Sequence, residues 1–291
     1  MNCSEGKIWK NLKNLALFVC ILLSILFSFF SPNLDGFLLS GAILFTAVFG
    51  LPHGALDFKL LQSLWLKKQL PYAFTCYTGL FIFTVFLWSL SATAMLAVFL
   101  LMSSYHFGGD YPVTIPQRFL TGFILLGLPC LFHPNQVGDI FNILLGHGDG
   151  YRFVNSLQLA GLIGVFYLSF LLLFNKIKIR QSLELVSLGY FAYVTHPLIY
   201  FVTYFCLFHS LKHYSEISIL LDHAKLTKLF IWSLPATITT LILALGFLYF
   251  FIQIEKKSLE ISVLQITFIG LSALTVPHMF LVERVRNKYK L

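Results

Sequence analysis

What most constrains this chain is how rarely a charge interrupts it. Ten apolar runs follow one another: Leu15–Phe30, Gly36–Leu56, Tyr72–Leu90, Ala92–Gly108, Pro116–Phe132, Leu157–Phe174, Leu183–Thr195, Leu198–Tyr214, Phe230–Ile252 and Ile261–Leu281. Each crosses, or nearly crosses, a hydrocarbon core ~30 Å thick when helical. Only 11% of the 291 residues are charged and 58% are hydrophobic, against about 25% charged in a typical soluble domain. The expected fold class is therefore all-α, a polytopic integral membrane bundle of about ten (8–10) transmembrane helices. The seventh run is short, and Pro197 separates it from the eighth. A single helix from Leu183 to Tyr214 would be roughly 48 Å long at 1.5 Å per residue, too long for one span without extreme tilt.

The charges between the runs set the orientation. With the N-terminus cytoplasmic, one side collects Lys59, Lys67, Lys68, Arg118, Lys176, Lys178, Arg180, Lys225, Lys228 and the tail with Arg284, Arg286, Lys288 and Lys290. The other side holds mainly Asp35, Asp139, Asp149 and Arg152, with Lys256 and Lys257 as exceptions flanked by Glu255 and Glu260. This is the pattern of the positive-inside rule. It predicts a multi-pass protein of the cell (inner or plasma) membrane with both termini cytoplasmic. Residues 1–291 read as a single transmembrane domain, with 1–14 a cytoplasmic N-terminal segment and 283–291 a basic cytoplasmic tail. Lys7, Lys10 and Lys13 before the first run resemble a signal peptide, but the run is long and no small-x-small cleavage site follows, so it reads as a retained span. The segment Pro134–Phe153 reads as an outside loop with a short helix.

The net charge of +8 does not indicate a nucleic-acid partner, because the basic residues lie in short inter-span segments beside a lipid bilayer. The five cysteines are scattered without a C-x-x-C and sit mostly inside apolar runs, as small buried residues do.

Chemistry concentrates in the histidines. His209 and His213 stand four apart in an apolar run, a spacing that puts both on one face of a helix. Polar rings in lipid are costly unless partnered, and a metal ion is the partner that engages two neutral imidazoles at once. In the predicted topology the second, fourth, eighth and tenth spans run in the same direction. Their C-terminal turns carry His53, His106, His209 with His213, and His278, all at similar depth. A lone intramembrane histidine is as readily an interhelical hydrogen-bonder; the paired spacing and the shared depth favour metal. Asp57 follows His53 by four residues and Asp110 follows His106 by four, so each carboxylate is a candidate to accept a ring N–H and orient an imidazole, or else marks the membrane exit. The imidazole-rich set suits Zn, Cu, Fe or Ni. Tyr105, Tyr204 and Tyr214 adjoin these histidines and are substrate-lining candidates or interfacial aromatics.

Four blocks carry a family resemblance: Gly50-Leu51-Pro52-His53-Gly54-Ala55-Leu56-Asp57, Ser104-Tyr105-His106-Phe107-Gly108-Gly109-Asp110, His196-Pro197 through His209-Ser210-Leu211-Lys212-His213, and Pro277-His278-Met279. In this order they resemble the Brp/Blh family of membrane β-carotene 15,15′-dioxygenases. The resemblance implies Fe(II)-dependent, O2-requiring cleavage of β-carotene or a related carotenoid at its central double bond, giving two all-trans-retinal. It implies His53, His106, His209 and His213 as iron ligands. His278 would be a further ligand or stand behind the ligands, as Asp57 and Asp110 would, and an opsin is the candidate recipient of the retinal. Lys212 departs from the Arg expected in the H-S-x-R-H form and would snorkel to the interface. Two alternatives stand beside this reading: a histidine-rich oxidase or desaturase of other lipids, and a non-catalytic metal- or retinal-binding membrane protein. The first lacks its usual number of histidine boxes, and an opsin-like retinal binder lacks a mid-span Lys for a Schiff base.

Overall fold

The computed structural model describes residues 3–29, 36–111, 114–174, 179–221 and 224–289. These are helical apart from turns. In chain order the helices are α1 (Cys3–Phe29), α2 (Gly36–Phe45), a π-helical segment (Thr46–Gly50), α3 (Leu51–Ala55), α4 (Asp57–Leu64), α5 (Leu70–Leu90), α6 (Ala92–Gly108) and α7 (Ile115–Phe132). There follow α8 (Pro134–Leu145), α9 (Gly150–Leu173), α10 (Ile179–Val194), α11 (Pro197–Thr203), a second π-helical segment (Tyr204–His209), α12 (Ser210–Leu220), α13 (Leu226–Gln253) and α14 (Leu259–Tyr289).

Each apolar run is mostly helical over its described residues, but the lengths are uneven. Among the described residues, five helices (α5, α7, α9, α13 and α14) are long and apolar enough to cross a membrane. Their outward faces are apolar: Tyr72 of α5 is 78% exposed and Leu173 of α9 is 81% exposed, a surface that only lipid or a partner would cover. The break between the seventh and eighth runs is present, since α10 stops at Val194 and α11 restarts at Pro197. There His196 caps α11, its Nδ1 accepting the Leu198 N–H at 3.2 Å, while proline at the first helical position forgoes a donor that would have no intrahelical partner. The segment 134–153 is more ordered than a loop. Pro134 opens α8, an amphipathic helix, and Gly146 ends it with φ 74°, a left-handed conformation that glycine adopts without strain. Asp35, Lys176, Lys178 and Lys290 of the loop-charge pattern lie outside the described residues.

The chain divides into two compact units, Met1–Thr46 with Ala97–Lys212 and Ala47–Leu96 with His213–Leu291. The first is built on the pair α7 and α9, with α8 against α9 and α10 against both α1 and α7. Small residues set the closest approaches: a Cβ on Gly122 would overlap the Ser104 carbonyl of α6, and one on Gly164 would meet the Leu120 carbonyl of α7 at 2.7 Å. Such small-residue contacts replace the hydrophobic driving force that lipid removes. Pro129 inside α7 leaves the Leu125 carbonyl without its helical donor, and the Tyr200 hydroxyl donates to it at 3.0 Å. In the second unit α14 packs on α3, α4, α5 and α13, and the Trp88 indole N–H of α5 donates to Ser272 Oγ of α14 at 3.0 Å.

Candidate metal centre

In the first unit, α6 ends at Gly108, where the chain passes α7 so closely that a Cβ on Gly108 would overlap the Arg118 carbonyl. His106 occupies the last turn of α6 and is buried. The turn that follows presents Asp110, whose side chain is 11% exposed. Asp110 Oδ2 accepts from His209 Nδ1 at 2.9 Å and from the Tyr204 hydroxyl at 2.8 Å. Lys212 Nζ donates to the Gly109 carbonyl at 2.7 Å and lies 3.7 Å from Asp110 Oδ1. Burial alone would raise the Asp110 carboxyl, but the charges of His209 and Lys212, with hydrogen bonds from His209 and Tyr204, outweigh it and hold the group below its ordinary value. The contact engages His209 through Nδ1 and leaves the ring's other nitrogen, the buried Nε2, as the one that could ligate a metal ion. The His106 and His209 rings meet edge-to-face with centroids 4.6 Å apart.

The second unit repeats this construction with different helices. Asp57 opens α4 and is 2% exposed. Its Oδ1 and Oδ2 lie 2.8 and 2.9 Å from His278 Nδ1, and its Oδ2 also accepts from the Tyr77 hydroxyl at 2.8 Å. The His213 and His278 rings meet edge-to-face at 4.8 Å. Metal-ligating atoms of Asp57, His213 and His278 all lie within 4.8 Å of one another, and all three residues are buried.

The donor set fits a metal ion. Imidazoles whose Nδ1 is committed to a carboxylate present Nε2 in the neutral, ligating tautomer, the arrangement found behind metal-bound histidines. Buried imidazoles, grouped with no cysteine among the described residues, suit iron, zinc, copper or nickel.

Several sequence expectations change. Asp57 and Asp110 do act on imidazoles, but not on the histidine four residues before them. Neither helix continues as that spacing requires: Leu56 interrupts α3 and α4, and α6 stops before Gly109. Each carboxylate instead reaches a histidine from a distant part of the chain. His209 and His278 are not in terminal turns, since helix continues to Leu220 and to Tyr289. Lys212 turns to the Gly109–Asp110 turn and does not snorkel. His209 lies in a π-helical segment, where Ser210 N and Oγ both bond the Phe205 carbonyl five residues back; such wide turns recur at functional sites. His53 falls in α3, but its side chain lies outside the described residues.

Of the tyrosines, Tyr204 is buried with its hydroxyl on Asp110, and Tyr214 is buried in the second unit. The Tyr105 hydroxyl accepts from the Arg118 guanidinium at 3.1 Å. Tyr77 carries no signal in the sequence, as its run Tyr72–Leu90 contains no charge or histidine.

Comparison with known proteins shows the family. Residues 44–285 match the family model described as β-carotene 15,15′-dioxygenase, a range that contains His53, His106, His209, His213 and His278. The chain is 32% identical over 256 residues to a β-carotene 15,15′-dioxygenase from uncultured marine bacterium 66A03, an alignment covering 83% of this chain and 92% of that protein. No solved structure is significantly similar. With the family model spanning most of the chain and the relative matching nearly end to end, the chain belongs to the β-carotene 15,15′-dioxygenase family of enzymes.

Proposed function

We propose that this protein is an Fe(II)-dependent dioxygenase that cleaves β-carotene at its central double bond with O2, giving two all-trans-retinal. The observation that carries the metal reading is the buried group of Asp57, His213 and His278, with ligand atoms within 4.8 Å of one another. The candidate ligands are the imidazoles the family resemblance singles out, His53, His106, His209 and His213, together with His278. Bound Fe(II) would supply the O2 chemistry at the alkene. The protein's own residues hold the imidazoles in one tautomer, exclude water and position an apolar polyene, and such positioning is a large part of what a binding site contributes to rate.

Ten membrane crossings, both termini cytoplasmic and a place in the cell membrane belong to the same proposal, with lipid delivering the substrate and an opsin as candidate recipient of the product. Reporter fusions at Lys67, Asp139, Lys256 and the C-terminus test the topology: cytoplasmic signal at the first and last and external signal at the middle two is expected.

The decisive experiment uses purified protein in detergent, loaded anaerobically with Fe(II) and given β-carotene and O2. About one iron per chain and two retinal per carotene consumed are expected. His213→Ala should lower iron content and cleavage by at least tenfold. Undiminished cleavage by that variant at equal expression, or cleavage by protein free of metal, would overturn the reading.

A further inference from the structure

Asp57 is approached by one imidazole nitrogen, His278 Nδ1, and by one phenol, that of Tyr77. Tyr77 comes from α5, a helix that otherwise faces outward and has only Thr84 and Trp88 buried. It places its hydroxyl 2.8 Å from Asp57 Oδ2, an oxygen that also faces His278 Nδ1 at 2.9 Å. The first unit contains the same three-part chain, in which the Tyr204 hydroxyl and His209 Nδ1 share Asp110 Oδ2 at 2.8 and 2.9 Å. The two tyrosines come from unrelated sequence contexts, yet each donates to the carboxylate oxygen that its histidine uses.

We propose that Tyr77 is a positioning residue for the metal site: by donating to Asp57 it holds that carboxylate aimed at His278 Nδ1, so that His278 binds the metal through Nε2. The physical reasons are two. A carboxylate buried in an apolar bundle is costly unless hydrogen bonds satisfy its lone pairs, and without the phenol one oxygen loses a donor. A carboxylate with two donors also has a defined rotamer, which defines the ring orientation of His278 and keeps the proton on Nδ1. The inference assigns His278 as a ligand and Asp57 as its hydrogen-bond partner, and rests on the metal reading proposed above.

The test compares full-length wild type, Tyr77→Phe, Asp57→Asn and a control, Tyr200→Phe, in detergent. Tyr200→Phe also removes a buried tyrosine hydroxyl, but from a backbone carbonyl of α7. Iron content, the rate of iron loss to a chelator, the electron paramagnetic spectrum of the Fe(II)–nitrosyl adduct and the melting temperature with and without iron are recorded. Tyr77→Phe should lose iron about 10–100-fold faster, the range for residues that orient metal ligands. Its nitrosyl spectrum should shift, and iron should raise its melting temperature less than it raises that of wild type. Asp57→Asn should show the same changes more strongly, while Tyr200→Phe should lower the melting temperature equally with and without iron and leave the spectrum unchanged. If Tyr77→Phe behaves as Tyr200→Phe does while wild type holds iron, the tyrosine is merely structural and the inference fails alone. If wild type holds no iron under conditions where it is folded, the metal reading fails and takes this inference with it.

Discussion

At the scale of single residues, short-range spacing proved informative about which residues matter and misleading about which of them touch. His106 and Asp110 stand four apart, yet the helix between them ends at Gly108 and Asp110 turns to His209. Gly108 carries this outcome, because only a residue without Cβ lets the end of α6 pass the Arg118 carbonyl. Gly108→Ala should therefore destabilise the protein by about 1–3 kcal/mol, as forced overpacking does, and should lower iron occupancy, since the turn aims Asp110. Unfolding followed in detergent alongside metal analysis checks this; an unchanged midpoint would show that α6 and α7 separate at no cost.

At the scale of elements, the interruptions say as much as the helices. Pro197 was visible in the sequence as a break, and the structure adds that His196 closes it as a cap. Burial, aided by the neighbouring His133, pushes the His196 imidazole down to about 4, and its Nδ1 must be unprotonated to accept from Leu198. A base whose folded value lies below its unfolded value of about 6.5 stabilises the fold in its neutral form. That contribution is complete above the unfolded value and is lost as pH falls from about 6.5 towards 4. His196→Asn keeps a capping oxygen but does not titrate, so its melting temperature should fall less than that of wild type between pH 7 and pH 5. Parallel curves would show that the cap is not the titrating element. The π-helical turn at Tyr204–His209 had no sequence signal at all: widening a turn is a response to packing around it, and local propensity does not encode it.

At the scale of the whole molecule, the metal proposed for the site would act as a ligand of the folded state. A ligand at a hundredfold excess over its dissociation constant adds about 2.7 kcal/mol of stability. Stripping iron with a strong Fe(II) chelator should therefore lower the melting temperature by several degrees and abolish retinal formation, and adding Fe(II) back should restore both. Chelated protein that melts and cleaves as before would exclude a structural and catalytic metal together.

The amino-acid sequence alone determined the class of this protein. Its apolar runs exceed what a soluble core can absorb, so a helical membrane protein follows from hydropathy and backbone hydrogen bonding, both local properties. It also determined the chemically important residue types, because histidine and aspartate are too costly in an apolar chain to be incidental. Only the tertiary structure decided the pairing. Asp57 with His278 and Asp110 with His209 span separations of 221 and 99 residues, and the Tyr77 hydroxyl reaches Asp57 from a helix with no charge of its own. Which histidine a carboxylate orients depends on where helices stop and how closely glycines let them approach, and those are properties of packing.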